Sequence, residues 1–187
     1  AWGDYFGRSS AISGDVALVC ANLGSNNNQG AAYIFRSSDG GATWPSSETQ
    51  TLTASDGASN EQFGYSTAIS GDVALVGAKN TGFPGKSNQG AAYIFRSSDG
   101  GVTWPSNDTQ RLTASDGGTN NYFGKSAAIS GDVALVGAIG ADTLRGAAYI
   151  FGYTTVVEPS GSSSRSARAA SDDSDDEFTS NDDYACS

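Results

Sequence analysis

Apolar and polar positions along the chain fall into short runs that recur three times. Phe6-Gly7, Phe63-Gly64 and Phe123-Gly124 open near-identical wording: FGRSSAISGDVALVCA, FGYSTAISGDVALVGA and FGKSAAISGDVALVGA. A variable loop follows, then GAAYIF from Gly30, Gly90 and Gly146. The first two copies continue through SSDGG(A/V)TWPS into TQTLTASDG or TQRLTASDG. A period of about 57–60 residues makes the fold a repeat architecture. Each copy predicts four short strands. The first is the run after Phe-Gly, up to Ile12, Ile69 or Ile129. Ser-Gly-Asp then makes a tight turn, with Gly14, Gly71 or Gly131 free to take positive φ. Val-Ala-Leu-Val is the second strand, Ala-Ala-Tyr-Ile-Phe the third, and the segment around Leu52 or Leu112 the fourth.

The second and third strands are apolar on both faces. Val16 and Leu18 alternate with Ala17 and Val19; Tyr33 and Phe35 alternate with Ala32 and Ile34. Such a strand belongs between two layers rather than on a solvated surface. Alanine and glycine on one face allow close approach of sheet to sheet, as packed propeller blades require.

The wording FG…GD…LVGA…GAAYIF resembles the FG-GAP repeat of integrin α-chain propellers and of secreted microbial and algal proteins. LTASDG…FG…AISGDVALVGA is closest to the secreted, non-integrin branch. The resemblance covers about residues 4–153, three times over. It implies an all-β chain of three four-stranded β-propeller-type blades in an extracellular or cell-surface setting, with adhesive or structural work rather than catalysis. The expected division is a three-repeat domain over 1–157, with repeats at about 4–60, 61–120 and 121–157, and a tail over 158–187. One departure matters. Integrin-type repeats often carry a D-x-D-x-D-G calcium loop between the first two strands. Here that place holds only Ser-Gly-Asp, with Asp15, Asp72 or Asp132. One carboxylate cannot supply the six to eight oxygens calcium prefers, so no metal site and no cofactor are expected.

Ser37-x-Asp39-x-Gly41-x-x-Trp44 and Ser97-x-Asp99-x-Gly101-x-x-Trp104 are similar to the Asp-box of sialidases. They fall between the third and fourth strands, where Asp can accept backbone N–H bonds across a turn and Trp can plug the hairpin. A sialidase also needs an arginine cluster and a tyrosine nucleophile with an acidic partner. Arg36 and Arg96 are repeat-equivalent and so sit on separate blades. The Asp-box here reads as a structural turn.

Chemistry narrows further. The 187 residues contain no histidine, which excludes Ser-His-Asp and Cys-His catalysis and histidine-ligated zinc. No enzymatic activity is expected. A net charge of −10 argues against nucleic acid and anionic membranes as partners. No run is apolar enough to span a bilayer. Cys20 stands where the other copies have Gly77 and Gly137, so a disulfide to Cys186, within one chain or between chains, is expected. Asn107-Asp108-Thr109 is a sequon, and Asn107 a candidate glycan site. Asn26, Asn27, Asn28, Asn80 and Asn88, in the variable loops, are candidate recognition residues for glycans or cell-surface proteins.

Closed propellers have four to eight blades, so three leave the set incomplete. The first copy has no LTASDG strand before Phe6, and the third has no Asp-box. The chain opens at AWGDYFG, inside a repeat, as a mature or trimmed product would. Three resolutions stay open. The chain is a fragment of a larger propeller; the acidic, Ser-rich tail, anchored by Cys186 or by strand addition, completes the first blade; or a neighbouring copy completes it, giving a homopolymer. The leading expectation is a non-enzymatic extracellular structural protein that assembles with copies of itself into a filament or surface appendage. The alternative is a carbohydrate- or protein-binding adhesion module.

Overall fold

A computed structural model describes residues 3–23 and 27–152, and the backbone of residues 164–167. The described strands form three antiparallel sheets of four. Blade 1 holds β1 (Phe6–Ser13), β2 (Val16–Ala21), β3 (Ala31–Arg36) and β4 (Gln50–Leu52). Blade 2 holds β5 (Phe63–Ser70), β6 (Val73–Ala78), β7 (Ala91–Arg96) and β8 (Gln110–Leu112). Blade 3 holds β9 (Phe123–Ser130), β10 (Val133–Ala138), β11 (Ala147–Gly152) and β12 (Ser164–Ala167), with the short turn α1 (Ala141–Leu144) between β10 and β11. The all-β, propeller-type reading holds, and the three blades do not close into a ring.

The Ser-Gly-Asp turns carry Gly14, Gly71 and Gly131 at φ 57°, 56° and 51°. The Phe-Gly and Gly-Ala-Ala motifs form the two halves of one joint. The backbone N–H of Phe63 donates to Gln29 O at 2.8 Å, and that of Phe123 to Gln89 O at 2.9 Å. At this crossing a Cβ on Gly30 or Gly90 would lie 2.0 Å from the carbonyl oxygen of Phe63 or Phe123. Both glycines also have φ near +90°, so no other residue fits there without strain.

Stacking is regular. One face of each blade, here called trailing, receives the opposite, leading face of the next blade. Val16, Leu18, Ala32, Ile34 and Leu52 of blade 1 cover Phe63, Val76, Tyr93 and Phe95 of blade 2. Val73, Leu75, Ala92, Ile94 and Leu112 of blade 2 cover Phe123, Val136, Tyr149 and Phe151 of blade 3. The aromatic residues meet edge to face: Phe63 lies 5.6 Å from Tyr93 and 5.9 Å from Phe95, and Phe123 repeats this with Tyr149 and Phe151.

The tail adds to a different blade from the one expected. Blade 1 is already complete, because the Leu-Thr-Ala-Ser-Asp strand closes the blade before it: β4 pairs with β3. Blade 3 lacks that strand, and residues 164–167 supply it on β11. The register repeats: Ala167 stands opposite Ala148 as Leu52 does opposite Ala32 and Leu112 opposite Ala92.

Candidate functional site

Strands apolar on both faces need cover on both, and among the described residues only blade 2 has it. Its β6 is buried throughout. On blade 1 the leading face is bare. Phe6 is 61% exposed, where its equivalents Phe63 and Phe123 are fully buried. Ile12 is exposed, and Tyr33 and Phe35 are half-buried. On blade 3 the trailing face is bare. Val133, Leu135 and Ile150 are 47%, 41% and 41% exposed, where their counterparts on blades 1 and 2 are buried. The two bare faces are the two halves of a joint that the chain makes twice internally.

Polar contacts repeat at those joints. Ser9 Oγ donates to Gly64 O at 2.9 Å, and Ser66 Oγ to Gly124 O at 2.8 Å. The backbone N–H of Gly71 donates to Ser13 Oγ, and that of Gly131 to Ser70 Oγ. The Asp of each Ala-Ser-Asp reaches the tyrosine of the following blade: Tyr93 Oη donates to Asp56 at 2.9 Å and Tyr149 Oη to Asp116 at 2.5 Å. Arg111 pairs with Asp56 as well.

The matching of motif to joint is now explicit. A model of the FG-GAP repeat matches residues 1–35, 46–95 and 106–151. The chain belongs to the FG-GAP repeat family. Comparison with curated proteins gives no match. In this FG-GAP protein the Phe-Gly of one repeat meets the glycine before Ala-Ala-Tyr-Ile-Phe of the preceding one at each blade joint.

The Asp-boxes of this FG-GAP protein are held from within. Ser37 Oγ accepts from the Gly41 N–H at 2.8 Å, and its hydroxyl donates to Asp39 at 2.6 Å. Asp39 accepts from the Thr43 N–H and hydroxyl at 2.8 and 2.6 Å, and the Trp44 indole N–H donates to Gly41 O. Ser97, Asp99, Gly101, Thr103 and Trp104 repeat the set. The sequence reading missed a second role. Trp104 is 4% exposed and belongs to the core between blades 1 and 2, whereas Trp44, on the bare leading face, is 39% exposed.

Hydrogen bonds from Ser37 and Thr43 hold Asp39 at about 2, and those from Thr103 and Ser97 do the same for Asp99. A carboxyl group with a lowered pKa stabilises the fold above its unfolded pKa, and the effect is lost as pH falls towards the folded value. Wild-type melting temperature is therefore expected to drop between about pH 4 and pH 2. Asp39→Asn/Asp99→Asn is expected to melt lower at pH 7 and to lose part of that drop. Parallel pH profiles for the two proteins would count against the Asp-box contribution.

Cys20 is a free, fully buried thiol. It faces Gly64 inside the blade 1–2 joint rather than an open edge, and burial pushes its pKa up to about 12. The expected disulfide partner, Cys186, lies outside the described residues. Asn107 is exposed, its backbone bridged to Thr53.

The variable loops spend much of their polarity on the joints. Asn27 O accepts from the Asn60 N–H, Asn28 Nδ2 donates to Asn60 Oδ1, and Asn88 Nδ2 donates to Asn120 Oδ1. Asn26 lies outside the described residues. Asn80 and Asn88 do come together, with Asn60, Glu61 and Ser87, around an open polar cleft of about 400 Å³. Burial raises the pKa of Glu61 there. Among the described residues no cluster of His, Cys, Asp and Glu is arranged to hold a metal, and no helix is long and apolar enough to cross a membrane.

Proposed function

We propose that this chain is a non-enzymatic extracellular structural protein, a subunit that stacks head to tail on copies of itself to build a filament or surface appendage. The observation that carries the reading is the pair of bare, complementary faces on blades 1 and 3. Large exposed apolar patches mark association surfaces, and a heterologous pair of faces extends into a ring or filament. The polar contacts favour the same partner. Ser126 and Ser130 are exposed on blade 3 at the positions that bond the next blade elsewhere. Gly7 and Gly14 offer the matching groups on blade 1. Tyr33 has no hydrogen-bonded carboxylate among the described residues, while Ala170-Ser171-Asp172 repeats the wording of Ala54-Ser55-Asp56. The tail of one copy therefore carries an aspartate one residue past the place of Asp56, a candidate partner for the next copy's Tyr33.

Light scattering of the purified chain tests this. A concentration-dependent mass well above 19.0 kDa is expected. A monomer at every concentration overturns it. The polar cleft around Asn60, Glu61, Asn80 and Asn88 favours a second reading, a carbohydrate- or protein-binding adhesion module within a larger propeller. A monomer that binds glycans through that cleft would put this reading first.

A further inference from the structure

Apart from the open faces and the polar cleft, one cluster has no part in either reading. Arg8 on β1, Tyr65 on β5 and Lys125 on β9 hold the same repeat position, and Lys79 follows β6. The Arg8 guanidinium lies 3.9 Å above the Tyr65 ring centroid. Lys79 Nζ lies 4.7 Å from that centroid and 5.6 Å from that of Tyr122. A cleft of about 300 Å³ opens here, lined by Tyr5, Arg8, Asn22, Gln62, Tyr65 and Lys79. That is the lower end of the size range of ligand sites, roughly 300–1,000 Å³.

The charges are unusual for this molecule. It has 20 acidic side chains and 10 basic ones. Yet among the described residues neither Arg8, Lys79 nor Lys125 is ion-paired with a carboxylate; the pairs found are Arg36–Asp15 and Arg111–Asp56. Lys79 donates instead to Asn80 Oδ1 at 2.8 Å. Burial pulls the Lys79 pKa below the ordinary lysine value; Tyr65 opposes the shift, and the charges of Lys125 and Arg8 add to it. Gathering unpaired cations opposes folding, and an anion in the cleft offsets that cost. A guanidinium stacked on a ring keeps its N–H edge free to grip a carboxylate in two-point fashion. The rest of the lining suits a sugar. Tyr5 is 62% exposed and offers a ring face, Gln62 an amide. Asn22 closes the cleft wall at 3% exposed, with its carbonyl oxygen turned away from solvent.

We propose that this cleft is a binding site for acidic sugars of the uronic-acid class, with the carboxylate on Arg8 and Lys79 and the ring against Tyr5. The site borders the leading edge of blade 1, since Tyr5 holds the place of Gln62 and Tyr122, whose N–H groups bond the preceding blade, so the titration is run on dilute, monomeric protein.

The test is calorimetric titration of the full chain with tetragalacturonate, with cellotetraose as the neutral sugar and hexa-aspartate as the charged non-sugar. Tetragalacturonate is expected to bind, more weakly as salt rises. Arg8→Gln and Lys79→Gln are each expected to weaken it by about tenfold or more. Lys86→Gln, whose Nζ bonds Gly117 O away from the cleft, should leave it unchanged. Unaltered melting temperatures exclude loss of fold as the cause. Four outcomes would overturn the site: no binding, equal binding of cellotetraose, equal binding of hexa-aspartate, or undiminished binding by the two cleft variants.

Discussion

Phe63→Ala is expected to cost the chain about 3–5 kcal/mol of stability, whereas Phe6→Ala, at the same position of the repeat, costs about 1 kcal/mol or less. The ring of Phe63 is fully buried between blades, edge to face with Tyr93 and Phe95. Its loss leaves a cavity that the flanking strands cannot collapse into. Phe6 has the same aromatic pair on its own blade, 5.6 Å from Tyr33 and 6.3 Å from Phe35, but among the described residues no blade covers it. Urea unfolding of dilute protein measures the difference, with the buried Trp104 as reporter. Equal losses would mean that the leading face of blade 1 is covered in the single chain.

The comparison also separates what the sequence discloses from what it does not. Apolar residues on both faces of Val-Ala-Leu-Val and Ala-Ala-Tyr-Ile-Phe foretell layers on both sides, because strand alternation is a local property. The Asp-box is equally local: each of its bonds spans at most four residues. The joints are not local. Ser9 meets Gly64, Tyr93 meets Asp56, and Trp104, while bonded to its own hairpin, also packs against blade 1. Such contacts depend on how one copy is offset against the next, which no single copy encodes. The same blindness misplaced the tail. Ser164–Ala167 shares little wording with Gln50–Leu52, and only pairing on β11 reveals the equivalence. Arg8, Tyr65 and Lys125 hold one repeat position with no shared chemistry; stacking of the first strands turns them into one cluster with Lys79.

Leu135→Glu and Phe6→Glu should each abolish assembly alone, yet a mixture of the two should form dimers that grow no further. Leu135 lies on the trailing face and Phe6 on the leading face. In a head-to-tail joint every contact between identical variants includes one damaged face. An unpaired carboxylate buried there costs several kcal/mol, and each 1.4 kcal/mol is tenfold in affinity, so association falls by about a thousandfold or more. When the variants are mixed, the intact trailing face of the Phe6→Glu chain meets the intact leading face of the Leu135→Glu chain. The free ends of that pair are both damaged. Isologous pairing predicts otherwise: one variant would still dimerise through its sound face, and mixing would add nothing. Light scattering of each variant and of the mixture distinguishes the two, and blue-shifted Trp44 emission in the mixture would place the contact at the leading face of blade 1, where that indole is 39% exposed. If the wild type assembles and either variant dimerises by itself, self-association survives but the head-to-tail joint does not.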